Sequence, residues 1–215
     1  MSNYAARRAA MVENQLRARG IWDERVLGAM GAVPREEFVP RRLRHRAYAD
    51  SALPIGGEQT ISQPWIVAAI CQELALTGGE RVLEVGTGSG YSAAVLALLA
   101  AEVISIERDP ELARAARRTL ARLAVANVHL ELGDGSLGDF ERAPFEAIAV
   151  HAAAPGPPPA LVDQLGDGGR LVVPLLEEGE EMLVALHRHG ERMTRATIAP
   201  CRFVPLIGEG GFAEA

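Results

Sequence analysis

The stretch Leu83-Glu84-Val85-Gly86-Thr87-Gly88-Ser89-Gly90 places a short apolar strand directly ahead of a glycine-rich turn. Tyr91 to Ala101, which follows, is rich in alanine and leucine at helical spacing. Strand, glycine turn and helix in that order define a narrow class of α/β unit. Glycine removes the Cβ that would hold a ligand off the backbone and permits φ > 0, while the helix start presents free N–H groups. Gly86, Gly88 and Gly90 fit that description, so the segment calls for a nucleotide-like ligand.

Spacing separates two ligand classes. A dinucleotide fingerprint, G-x-G-x-x-G/A, begun at Gly86 needs a small residue at position 91, where this chain has Tyr91. With the acidic Glu84 ahead of it, the loop instead resembles motif I of the class I S-adenosylmethionine-dependent methyltransferases, in which it lies against the methionine part of the cofactor. Val103 to Glu107 reads as the next strand and ends in a carboxylate twenty-one residues after Gly86. A carboxylate there can accept hydrogen bonds from both ribose hydroxyls. The plainer alternative is a solvated strand end ahead of the helix start Asp109-Pro110.

Strands and helices alternate beyond the loop, with strands expected at 82–85, 103–107, 128–132, 145–150 and 170–175 and helices at 91–101, 110–124 and 159–165. Such alternation implies a doubly wound, mostly parallel sheet with right-handed crossovers. Met182–His187 and Thr197–Leu206 read as an antiparallel pair on one edge, making seven strands. Ahead of the core, Ala5–Arg19 reads as an amphipathic helix ending at Gly20, and Asp23 as the cap of a second helix that stops before Pro34. Residues 48–57 read as loop, and Pro64–Ala75 as a helix with Ser62 as its candidate N-cap. The expected plan is one Rossmann-like domain over 1–215, with a helical cap and loop at 1–58 and the core at 59–215.

Net charge is −6, but residues 1–50 hold ten Arg against six acids. Only that segment could offer nucleic acid a basic face, and arginines among acids suit a solvated helix surface better, so no nucleic-acid partner is expected. Cys71 and Cys201 lie far apart, no secretion signal precedes the core and no apolar run is long enough to span a bilayer. A cytoplasmic protein with no membrane partner is expected. The five histidines show no metal-ligand spacing with the cysteines, so no metal is expected.

The segment Gln59-Thr60-Ile61-Ser62-Gln63-Pro64 is more specific than the loop. Here the chain resembles the protein-L-isoaspartate O-methyltransferase family nearly end to end, through Met11–Arg17, Val33–Pro40, Ala52–Gly56, Thr60–Ser62, Gly133–Gly135, Ala152–Pro155, Gly168–Leu171 and Phe203–Leu206. The resemblance implies a class I methyltransferase that uses S-adenosyl-L-methionine on the α-carboxylate of isoaspartyl residues in proteins and peptides. It implies that Ser62 and Thr60 act on the acceptor carboxylate. Gln59, Ile61, Glu84, Gly86, Thr87, Gly88, Ser89, Gly90, Glu107, Arg108, Asp134 and Gly135 would hold the cofactor, and Val204, Pro205 and Leu206 would border the peptide.

Ser62 as a plain helix cap remains the simpler reading. Three positions depart from the family pattern: Glu58 and His151, where small residues are expected, and Trp65 in place of Tyr or His. Glu58 and His151 motivate an alternative, a methyltransferase for another carboxylate or small molecule. A second alternative is a cofactor-binding module without turnover, and an RNA methyltransferase is third. Oligomeric state is not encoded legibly; a monomer is the expectation.

Overall fold

The computed structural model describes residues 3–214, so the outer bounds of the expected domain, 1 and 215, lie outside the described residues. Seven strands form one sheet: β3 (Arg81–Val85), β4 (Glu102–Glu107), β5 (Val128–Leu132), β6 (Phe145–Val150), β7 (Leu165–Glu177), β8 (Glu180–His189) and β9 (Arg192–Pro200). Their order is β5-β4-β3-β6-β7-β8-β9. Pairing is parallel from β5 through β7 and antiparallel for β7–β8 and β8–β9. The expected mostly parallel sheet with an antiparallel edge is therefore present. Chain order reverses between β3 and β6, and in sheets of this kind ligands bind at such a switch point, beyond the strands' carboxyl ends.

Strand residues alternate between two cores, as a period of two requires. Val82, Val103, Ala147 and Val172 point into one cluster; Leu83, Ile104, Ile148 and Val173 point into the other. On the first face lie α1 (Tyr4–Met11), α2 (Glu24–Ala32), α3 (Pro64–Leu74), α4 (Tyr91–Leu96) and α5 (Pro110–Arg122). Of the described helices only α6 (Pro159–Asp163) contributes to the second. Helix starts follow local chemistry: Asp23 accepts from Arg25 N at 2.8 Å and Asp109 from Glu111 N at 2.7 Å.

Several expectations are corrected. The segment read as one helix to Gly20 changes after Met11 into a π segment, Val12–Leu16, and a 3₁₀ turn, Arg17–Arg19. That winding buries Leu16 and Ile21 and brings the Gln15 amide to Tyr48 O at 2.9 Å. The supposed loop contains β1 (Leu53–Gly56), paired antiparallel with β2 (Gln59–Ile61). Pro54 and two glycines hide this hairpin from propensity, and it straddles residue 58. Glu58 turns it with φ +57°, a conformation that glycine adopts without strain and that explains why a small residue is expected there. Strand β9 is Arg192–Pro200 rather than 197–206. Beyond Pro200 the chain leaves the sheet edge, and Val204 O accepts from Ala153 N at 2.8 Å.

Among the described residues no helix is long and apolar enough to cross a membrane.

Candidate active site

Strand β3 ends at Val85, and the glycine loop crosses the mouth of the switch point into α4. Gly90, the N-cap of α4, has φ +85°, and a Cβ there would lie 3.3 Å from Ala116 Cβ in α5. The loop is held from the next strand. Glu107, buried at the end of β4, accepts from Gly88 N at 2.7 Å through Oε2 and from Asp109 N at 2.9 Å through Oε1. It is thus a buried acceptor at the loop, not a solvated strand end.

Two cavities meet at this place. The larger, about 390 Å³, is lined by the loop from Gly86 to Ser89, by Tyr91, Ser92, Glu107, Arg108, Gly135 and His151, and by Gln59–Ser62 and Val204–Ile207. The smaller, about 270 Å³, is lined by Arg19, Gln63, Trp65, Arg202 and Phe203 among others. Thr60, Ser62, His151 and Val204 line both. Pro205 and Leu206, expected to border the acceptor peptide, line only the larger cavity; the chain has already turned inward past Val204 to pair with Ala153.

Three expected cofactor residues, Asp134, Glu84 and Gly90, line neither cavity, and the expected role of a fourth, Ser62, changes. Ser62 is not the cap of α3: the N-cap is Gln63, without a side-chain hydrogen bond, so the Ser62 hydroxyl has no capping duty. Asp134 lines neither cavity. It caps its own 3₁₀ turn, accepting from Ser136 N at 2.9 Å and Ser136 Oγ at 2.6 Å, while its Oδ2 accepts from Glu209 N at 2.8 Å. Partial burial pushes its carboxyl upward, but these bonds outweigh burial and hold it below the usual carboxylate range. Glu84 is fully buried beneath the loop, accepts from Ser105 Oγ and faces His151. Gly90, the α4 cap, packs on α5 rather than lining a cavity.

Gly135 reaches the cavity because it lacks a side chain. A Cβ there would stand 2.5 Å from Val85 Cγ1, inside van der Waals contact. Gly135→Ala is expected to lose about 1–3 kcal/mol of stability to overpacking. At roughly 2–4 °C per kcal/mol for a chain this size, scanning calorimetry should record a lowered Tm; an unchanged Tm would mean that Val85 gives way freely.

Arg35 lies in the Val33–Pro40 segment, and the sequence assigns it no role. The guanidinium is fully buried; Nε donates to Ala47 O and Nη2 to Ser62 O, both at 2.8 Å, and its face lies 4.8 Å from the Tyr91 ring centroid. Burial pushes its pKa down from the ordinary guanidinium value, with Tyr91 and Tyr48 opposing. It ties the backbone of Ser62 to the wall formed by Tyr91. An arginine beside Val33-Pro34 and ahead of Phe38 was the only available signal. On the acceptor side, Trp65 stacks against Arg19 at 5.0 Å and donates through Nε1 to Arg19 O at 3.2 Å. Cys201 also lines the smaller cavity; burial, then Glu181, pushes its thiol up to about 12, so it stays protonated. Glu58 lines neither cavity.

The family described as Protein-L-isoaspartate(D-aspartate) O-methyltransferase (PCMT) has a model that matches residues 6–211. The chain is 54% identical to Protein-L-isoaspartate O-methyltransferase 2 of Marinobacter nauticus, over 95% of this chain and 94% of that protein. A solved structure of a protein-L-isoaspartate O-methyltransferase aligns with TM-score 0.84 at 29% identity, covering 95% of this chain and 67% of the other. A candidate protein-L-isoaspartate O-methyltransferase from Plasmodium falciparum, solved with S-adenosyl-L-homocysteine, aligns with TM-score 0.81 at 25% identity, covering 96% and 99%.

Proposed function

The chain belongs to the protein-L-isoaspartate(D-aspartate) O-methyltransferase family, and we infer from this that it transfers a methyl group from S-adenosylmethionine to the α-carboxylate of L-isoaspartyl residues in damaged proteins and peptides. We propose that the larger cavity takes the cofactor and the smaller the acceptor. The supporting observation is that Thr60 and Ser62 line both, so one pair of hydroxyls borders donor and acceptor at once.

The residues fit the cofactor. Gly135 packs too closely on Val85 to carry a Cβ, so it meets the cavity with bare backbone, and Glu107 presents a buried carboxylate at the loop to receive ribose hydroxyls. Gln59, Ile61, Gly86 to Ser89 and Arg108 would line the rest, while Glu84 and Gly90 would support the loop from behind and Asp134 would fix the turn that presents Gly135. When bound, S-adenosylmethionine supplies a methyl group on a sulfonium, an electrophile that needs no activation.

What this chain must then do is orient and exclude water. The acceptor carboxylate, with a pKa of about 3.5 to 4, is already ionised at neutral pH and needs no general base. Thr60 and Ser62 would donate to one oxygen, while Arg19 and Arg202 make the acceptor side attractive to an anion. The other oxygen would lie free to take the methyl group, which the cofactor would give up from its sulfonium to leave a neutral thioether. Positioning of this kind can supply roughly 7–11 kcal/mol at best. In the product ester, the neighbouring amide nitrogen displaces methanol, closing a succinimide that opens in part to normal aspartate.

The reading takes a monomer in the cytoplasm as the acting form, with no nucleic acid or membrane as partner. Matched isoaspartyl and aspartyl peptides, incubated with labelled S-adenosylmethionine, test the activity. Label is expected on the isoaspartyl peptide alone; equal labelling of both, or of neither, would overturn the reading.

A further inference from the structure

Of the four residues shared by the two cavities, His151 has the bulkiest side chain, and that side chain is only 6% exposed. Two contacts brace its ring. Ser92 Oγ lies 2.7 Å from Nε2, and Glu84 Oε1 lies 3.4 Å from the same nitrogen. Glu84 Oε1 is buried and has no hydrogen-bond partner, and the ring nitrogen is a polar atom that faces it. The main chain is tied as well, His151 N donating to Val85 O at 2.9 Å. Serine, imidazole and carboxylate thus converge, yet not as a nucleophile-activating triad, which needs the carboxylate on the opposite ring nitrogen.

We propose that His151 determines acceptor specificity: its braced ring is the partition between the cofactor and acceptor cavities, and it narrows the passage to a carboxylate whose α-carbon keeps its hydrogen. The inference rests on the methyltransferase reading above. A small residue at 151 would join the two cavities and admit bulkier acceptors. Glu84 and Ser92 act here as positioning residues, holding the ring rather than touching the acceptor.

The test uses the full chain and two short peptides, one with L-isoaspartate and one with α-methyl-L-isoaspartate, which adds a methyl beside the carboxylate. Wild type is expected to prefer the unsubstituted peptide by about 10-fold or more in kcat/KM. His151→Gly and His151→Thr should methylate the two nearly equally, whereas His151→Gln, which keeps bulk and a donor toward Glu84, should retain the preference. Calorimetry of the α-methyl peptide with the S-adenosylhomocysteine-loaded chain, where no turnover occurs, should show tighter binding to the Gly and Thr variants than to wild type. Melting curves establish which variants fold, and either of the two carries the comparison. If wild type shows no more preference than those variants, the partition role is overturned. If wild type methylates neither peptide, the methyltransferase reading itself has failed.

Discussion

Ser62→Ala should lower kcat/KM for an isoaspartyl peptide by roughly 10- to 150-fold while leaving S-adenosylhomocysteine affinity nearly unchanged. The magnitude is that of one hydrogen bond to a charged partner, about 1.5–3 kcal/mol. The structure makes this a clean experiment, because the hydroxyl does not cap α3 and the residue's carbonyl, held by Arg35, survives the substitution. The melting temperature should therefore stay at the wild-type value. Steady-state kinetics and calorimetry together decide: unchanged turnover would leave the hydroxyl with no role at all, since capping no longer stands in reserve.

Glu107→Ala should do the reverse, weakening S-adenosylhomocysteine binding by roughly 150-fold or more, the loss of two hydrogen bonds to an ionised acceptor at about 1.5 kcal/mol or more each. Without ligand this carboxylate already holds Gly88 N and Asp109 N, so the substitution should also lower the melting temperature of the unliganded chain. Glu107→Gln separates the two effects, because the amide keeps one acceptor for the loop but loses the charge. A lower melting temperature with unchanged ligand affinity would reduce Glu107 to a brace for the glycine loop.

Much of the core was legible because its signals are local. Asp23 and Asp109 cap the helices that follow them, and Pro110 stands in the first turn of α5, for reasons contained within four residues. The alternation of apolar strands with helices announced the parallel sheet, and Gly86, Gly88 and Gly90 announced the loop, all three at positive φ. The hairpin β1–β2 was missed because Leu53 and Ile61 form a pair only across a turn whose centre is a glutamate in a glycine conformation. The expected helix ended at Leu165 and the expected strand began at Arg170, yet residues 165–169, with three glycines and an aspartate, belong to β7, where Leu165 pairs with Phe145 of β6.

The sequence by itself determined the strand–loop–helix unit and the alternation that makes the sheet, since backbone conformation and periodicity are properties of neighbouring residues, and its Gln59–Ser62 segment carried the resemblance to the family. Only the tertiary structure decided where side chains with several possible partners spend their hydrogen bonds. It turned Asp134 to Ser136 and Glu209, buried Glu84 against Ser105 and His151, and released Ser62 from capping. It also put the Arg35 guanidinium under the site from a segment to which the sequence assigned no role. A carboxylate or guanidinium takes whatever partner the fold brings within about 3 Å, and which partner arrives is settled by strand order and packing across tens of residues of chain.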